Sequence, residues 1–222
     1  MRGNDMAEMG LAEGIDLLAR RAKIVKALLV AGLLSLIAML VGEIAELQGL
    51  INLDNADLDN AEGLYAAVLL ANWLILILTY VVFGMWIYRA AANVDAASVP
   101  GFRYTPGWAV GWHFVPIANF FKPFGAMRQI WNASHGNETG DLDRGNGFLT
   151  LWWACWIITS IVANYVFRLS LKADTAEEFR SVLELEILSS VVSLALYPLA
   201  YRLVDRTTRA QQERLTSAHI FA

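Results

Sequence analysis

Four carboxylates lie near the ends of long apolar runs, where an ionisable side chain is costly to place. Glu43 and Glu46 lie at the end of the first run, and their spacing of three puts them on one face of a helix. Glu184 and Glu186 precede the last run; about 200° apart around a helix, they cannot both face a bundle interior. Ionisable groups at membrane depth often bind ions or relay protons. These four residues are therefore candidates for an ion-linked site, with charged markers of short membrane spans as the alternative.

No other pattern in the chain indicates catalysis. The sequence has no phosphate-binding loop, HExxH zinc site, CxxC pair or GxSxG nucleophile elbow. Its single Cys is too few for a protein-only zinc site or an internal disulfide. With 17 basic and 21 acidic residues, it also lacks the positive charge of a nucleic-acid-binding protein. We expect no enzyme activity, no catalytic or metal-binding residues, no cofactor and no nucleic-acid partner.

The elements that must position these carboxylates are membrane helices. Of 222 residues 57% are hydrophobic and 17% charged, against roughly 25% charged in a typical soluble domain. Uncharged runs at 63–88 and 145–167 are long enough to span a bilayer. Two shorter runs reach that length as 24–44 and 181–203, if charged side chains at their ends extend to the interface. The sequence predicts an all-α polytopic membrane protein with four transmembrane helices.

The basic residues predict the orientation of these helices. With four spans, every Lys and Arg except Arg168, Lys172 and Arg180 lies on one side of the membrane. By the positive-inside rule that side is the cytoplasm, so both termini are cytoplasmic. The expected location is a bacterial inner membrane. We divide the single membrane domain, 1–222, into a cytoplasmic N-terminal helix (1–23), the four spans, a loop (89–144) and a cytoplasmic tail (204–222).

The loop contains a further uncharged segment, 104–121, that could be mistaken for a fifth span. Pro106, Gly107, Gly111, Pro116 and Asn119 would interrupt a lipid-exposed helix there repeatedly. A fifth span would also move seven of the ten basic residues that follow it to the outside, against the positive-inside rule. We therefore expect an interfacial or re-entrant segment between the second and third spans.

Pro123 is well placed to open a helix directly after this segment. Phe124, Met127 and Trp131 then follow with helical spacing on one face. That face either lies against lipid or packs on the ends of the helix bundle.

Pro, Trp, Asn and Arg residues recur through this loop in a recognisable order. They are Arg89, Asn93, Pro106, Trp108, Trp112, Pro116, Asn119, Pro123 and Trp131. The pattern resembles the bacterial membrane family catalogued as domain of unknown function 4328, strongly over 83–134 and weakly around 206–214. The resemblance implies several membrane helices with this loop between them, and it implies no activity.

If the loop is a folded unit, its polar residues need partners. We expect Asn119 either to accept a hydrogen bond from Arg89 or to cap the helix that starts near Pro123. Small size, interfacial aromatic residues and the lack of a catalytic pattern favour an accessory, assembly or structural subunit of a larger membrane complex. Its partners would be the lipid bilayer and other membrane protein subunits, or further copies of itself. The alternative function is a small oligomeric transporter or channel for an ion or small solute.

Overall fold

Residues 10–53, 57, 60–136 and 141–215 are described by a computed structural model, and every regular element among them is helical. Four helices are long and apolar enough to cross a membrane, which confirms the predicted all-α fold class. They are α1 (Leu11–Leu47), α2 (Ala61–Ala96), α5 (Gly147–Ser170) and α6 (Ala176–Ala210). Between α2 and α5 lie two shorter helices, α3 (Pro106–Gly111) and α4 (Lys122–His135). A π-helical turn, Gln211–Leu215, follows α6.

Most of the long helices extend well beyond the predicted spans. The expected N-terminal helix and first span form one continuous helix, α1, from Leu11 onward. Residues 1–9 of that predicted helix and 216–222 of the predicted tail lie outside the described part of the chain. The helices run on because the charged flanks of the apolar runs are also good helix formers.

Polar side chains define where three of the long helices begin. Asn60 Oδ1 accepts from the Gly63 amide at 2.8 Å, and Asn146 Oδ1 accepts from the Phe148 amide at 2.9 Å. Before α6, the Thr175 hydroxyl accepts from the Glu178 amide while the Glu178 carboxylate accepts from the Thr175 amide. This reciprocal pair is a capping box, which satisfies two amides that the helix itself cannot.

The chain divides into two compact units, each built from parts of the long helices. The loop unit comprises Met1–Ala27, Tyr80–Thr150 and Tyr201–Ala222. Five of its large apolar side chains, each fully enclosed, form much of its core: Leu18, Trp86, Ile130, Leu149 and Leu203. The span unit comprises Leu28–Thr79 and Leu151–Ala200, and it exposes apolar side chains such as Leu34, Leu70 and Trp73. Apolar surface of this kind suits contact with lipid.

The segment before α4 is short and irregular rather than one long helix. Thr105 caps α3, and Pro106 occupies its first turn. Two 3₁₀ turns follow, Trp112–Phe114 and Ala118–Phe120, and Ile117 between them has a left-handed φ of 66°. The Pro and Gly residues thus stop this uncharged segment from forming a fifth long helix, as predicted.

The apolar side of α4 is packed against protein. Met127 and Trp131 are buried within the loop unit, and Trp131 packs against Phe148 with ring centroids 5.5 Å apart. Gly136, with a φ of 64°, ends the helix in the left-handed conformation that favours glycine. Of the two interpretations of this helix, the structure supports packing within the protein over a face turned to lipid.

Candidate functional site

Arg89 and Asn93 lie one turn apart on α2 and form the start of a buried polar network. The Arg89 Nε donates to Asn93 Oδ1 at 2.8 Å, and both side chains are buried. Helix α1 approaches them at Gly14, where a β-carbon would lie 2.5 Å from Asn93 Oδ1. A larger residue at Gly14 would displace these two side chains, so this glycine makes room for the network.

Gln211 connects this pair to α4. Asn93 Nδ2 donates to Gln211 Oε1 at 2.9 Å, and Gln211 Nε2 donates to Ala90 O and to Ser134 Oγ, both at 3.0 Å. Ser134 Oγ in turn donates to Ile130 O at 2.6 Å. Asn93, Gln211 and Ser134 are fully enclosed. A buried network whose members have partners holds its elements in one arrangement, so α2, α4 and the π-helical turn are fixed together.

A second link joins α2 to α6. The indole Nε1 of Trp86 donates to Thr208 Oγ1 at 3.0 Å, and both residues are buried. The neighbouring Thr207 is equally buried, but its hydroxyl oxygen has no hydrogen-bond partner in the described part of the chain. These two adjacent buried threonines therefore differ in their hydrogen bonding.

Asp143 fastens the end of the loop onto α4. Its Oδ1 accepts from Gln129 Nε2 at 3.0 Å and from Arg128 Nη2 at 3.1 Å, and its Oδ2 accepts from the Arg103 guanidinium. The hydrogen bond from Gln129, followed by the two arginine charges, lowers the pKa of Asp143 below its usual value. Gln129 Oε1 also accepts from the Arg103 amide at 3.1 Å. The carboxylate thus joins the residue stretch before α3 and the end of the loop to α4.

Asn132 also joins the end of the loop to α4, through two hydrogen bonds. Its Nδ2 donates to the carbonyl oxygens of Leu142 and Arg144, at 2.9 Å and 3.0 Å. Neither Gln129 nor Asn132 was among the predicted site residues. Both lie on α4 beside Pro123 and Trp131, which are predicted residues and are buried.

The remaining predicted residues of the loop differ from Arg89 and Asn93 in exposure. Trp108 is exposed, and its ring lies 4.6 Å from that of Trp112. The ammonium group of Lys122 lies 5.5 Å from the centre of the Trp112 ring. Pro106 and Pro116 begin α3 and precede the second 3₁₀ turn, respectively. The motif therefore contains both buried residues, such as Arg89 and Asn93, and exposed residues, such as Trp108.

Three further apolar side chains in the segment 106–121 are strongly exposed. Phe114 is 83% exposed, Ile117 75% and Phe121 69%. With Trp108 they form what we call the exposed apolar residues of the segment. Sets of this kind on a protein surface mark contacts with another protein or with a membrane.

The expected role of Asn119 was wrong in both forms. Its Oδ1 has no hydrogen-bond partner in the described ranges, so it accepts nothing from Arg89, which donates to Asn93 one turn away. Helix α4 has Phe121 as its N-cap and no side-chain capping bond. The 3₁₀ turn Ala118–Phe120 places Asn119 two residues before the capping position, too early to reach the free amides of α4.

Three of the four predicted carboxylates lie near one another in the span unit. Glu43 is 3% exposed, and its Oε1 accepts from Ser190 Oγ at 3.1 Å. Glu46 interacts with the Tyr65 hydroxyl, and Glu186 lies close enough to Glu43 and Glu46 for their charges to interact. Glu184 is instead exposed and pairs with Arg180 at 3.2 Å. The structure thus separates Glu184 from Glu186, as their spacing of two requires.

Among the residues described, no group of three or more His, Cys, Asp or Glu side chains is arranged to hold a metal ion. The arrangement instead places three carboxylates within reach of one another's charge, and it leaves apolar side chains of the segment 106–121 exposed.

Comparison with known proteins adds a family but no activity. The family model described as Domain of unknown function (DUF4328) matches residues 50–209. The match covers α2 to α6 and therefore includes both the loop motif and the carboxylates of α6. Neither the curated proteins nor the solved structures include a match to this chain.

Proposed function

The chain belongs to this family of unknown function, and on that premise we propose that it is an accessory or assembly subunit of a larger membrane complex. The observation that carries the proposal is the contrast within its loop motif. Arg89, Asn93 and Trp131 are buried in a bonded core, whereas Trp108 and the strongly exposed Phe114 lie in one short segment at the surface. A rigid base beneath exposed apolar side chains lowers the entropy that is lost when a partner binds.

The base of this segment is held in place by identified contacts. Ala109 of α3 is fully enclosed, and the Arg103 amide just before the segment donates to Gln129 on α4. Lys122 just after it lies over the Trp112 ring. Because the ends are fixed, little conformational entropy is lost when a partner binds between them.

A protein partner suits this surface better than the hydrocarbon of the bilayer. Breaks between helical turns expose amide and carbonyl groups that lipid tails cannot satisfy, and the three helical turns of 106–121 are short and interrupted. A partner subunit could supply apolar contacts to Phe114 and Phe121, which are 83% and 69% exposed.

The proposal places the subunit in a bacterial inner membrane with both termini and the loop 89–144 in the cytoplasm. The distribution of Lys and Arg supports this orientation. Its partner surface would then lie at the cytoplasmic side, close to the membrane.

Extraction from native membranes in a mild detergent, followed by native mass measurement, tests the proposal. The wild-type chain should migrate in a defined assembly, and Phe114→Ser combined with Phe121→Ser should release it while its melting temperature stays unchanged. Phe179→Ser is the matched control, because Phe179 is an exposed aromatic residue outside the segment. A wild-type chain that migrates only as a monomer, or a double variant that keeps the assembly, would overturn the proposal.

Transport by a small oligomer is the second candidate function, and the burial of Glu43 in the span unit is what favours it. Flux into proteoliposomes should be lost in Glu43→Gln and retained in Glu184→Gln. Equal flux in all three proteins would exclude a role for Glu43 in transport.

A further inference from the structure

Glu43 is the most deeply buried carboxylate in the described part of the chain, and its charge has no evident compensation. One oxygen, Oε1, accepts from Ser190 Oγ at 3.1 Å. The other, Oε2, is enclosed and has no hydrogen-bond partner among the described residues. A buried carboxyl group is stable when a bonded cation balances its negative charge or when it binds a proton and becomes neutral.

The groups around Glu43 are acidic or neutral. On its own helix α1 lies Glu46, on α2 lies Tyr65, and on α6 lie Glu186 and Ser190. No Lys, Arg or His among the described residues forms an ion pair with Glu43. A salt bridge therefore does not neutralise this carboxylate.

The packing that encloses Glu43 is tight. Tyr65 is buried and lies directly against Gly42, where a β-carbon would overlap its ring. Glycine at position 42 thus lets α2 close over α1 next to Glu43. Since these carboxylates do not form a metal-holding group, a proton is the ligand that their arrangement fits.

We propose that Glu43 is a proton-binding site, with Glu46 and Glu186 as the groups that exchange the proton with it. The proton leaves Glu43 as its O–H bond breaks, and a new O–H bond forms on a carboxylate oxygen of Glu46 or Glu186. Charge is conserved in this step, since one carboxylic acid and one carboxylate exchange roles. Glu46 and Glu186 are only partly buried, so they provide a route to the surface of the unit.

This site does not depend on the proposed role as a subunit, because it can be measured on the isolated chain. Infrared difference spectroscopy of the full-length protein in lipid nanodiscs detects the C=O stretch of a protonated carboxyl group. The wild-type protein should show such a band, sensitive to D₂O, whose intensity changes with pH. The band should disappear in Glu43→Gln and remain in Glu184→Gln, whose exposed carboxylate pairs with Arg180.

Ser190→Ala provides a second, milder variant in case Glu43→Gln does not fold. Loss of the hydroxyl that donates to Glu43 should shift the midpoint of the titration, because that bond stabilises the charged form. The proposal is overturned by a titrating band that survives in Glu43→Gln, by a midpoint unmoved in Ser190→Ala, or by the absence of a titrating band in the wild-type protein.

Discussion

Asn93 on α2 and Gln211 in the π-helical turn share a side-chain hydrogen bond of 2.9 Å, although 118 residues separate them in the chain. Through it the loop motif and the end of α6 become one bonded core. Each amide is also held by a further partner, Arg89 for Asn93 and Ser134 for Gln211. The two residues should therefore contribute to stability as a unit.

Asn93→Ala and Gln211→Ala should each lower the free energy of unfolding by about 1–3 kcal/mol, because each leaves buried polar groups without partners. The double variant should lose less than the sum of the two. Unfolding of the detergent-solubilised protein, followed by circular dichroism, gives the three values for a double-mutant cycle.

Asn119→Ala is the control for this cycle, since its side chain lies outside the network. Combined with Asn93→Ala, it should give an additive effect. Additivity between Asn93 and Gln211, or strong coupling between Asn93 and Asn119, would contradict the network described here.

The adjacent residues Thr207 and Thr208 should respond differently to the same substitution. Thr208→Val leaves the buried Trp86 indole N–H without an acceptor and should cost about 1–3 kcal/mol of stability. Thr207→Val removes a buried hydroxyl that has no partner in the described ranges and should be neutral or stabilising. Equal melting temperatures for the two variants would show that the bond to Trp86 contributes nothing.

Asp143 should make stability depend on acid pH. Its folded pKa is lowered by Gln129 and then by Arg103 and Arg128, so its contribution is present above the unfolded value of about 4 and is lost as pH falls through the folded value. Asp143→Asn should cost about 1 kcal/mol or less at neutral pH, because the pair is partly exposed. The gap in melting temperature between wild type and variant should close below about pH 4.

Asp95→Asn is a suitable control for that experiment, since Asp95 is an exposed carboxylate of the same loop unit. It should follow the wild-type curve throughout. A gap between wild type and Asp143→Asn that stays constant with pH would mean that the charge of Asp143 is not what fastens the loop.

Cysteine accessibility tests the orientation. In a Cys155→Ala background, Arg103→Cys and Lys122→Cys should both react with an impermeant thiol reagent only from the cytoplasmic face. Asp57→Cys should react only from the opposite face. Reaction of Arg103→Cys and Lys122→Cys from opposite faces would mean that 104–121 crosses the membrane.

The long helices and the absence of a fifth could be predicted because both depend on local composition. The uncharged runs at 63–88 and 145–167 predict spans by length alone, and Pro106 and Pro116 break the run between them. The separation of Glu184 from Glu186 likewise follows from helical spacing.

The partners within the candidate site could not be predicted, because they come from distant parts of the chain. Nothing near Asn93 indicates Gln211, and nothing near Glu43 indicates Ser190, 147 residues away. A hydrogen bond between Asn119 and Arg89 is predicted because both are polar residues of one motif. The positive φ of Ile117 and the 3₁₀ turn after it set the position of Asn119, and the sequence contains no clear signal for either.

The central claim is that the exposed segment of the motif contacts another protein. Site-specific photocrosslinking at Phe114 tests this claim most directly. A photoreactive phenylalanine analogue at this position, irradiated in native membranes, should give a discrete protein adduct that disappears when Phe121→Ser is added. The same analogue at Phe179 should give none. Adducts to lipid alone from position 114 would contradict the account and assign the segment to the membrane surface.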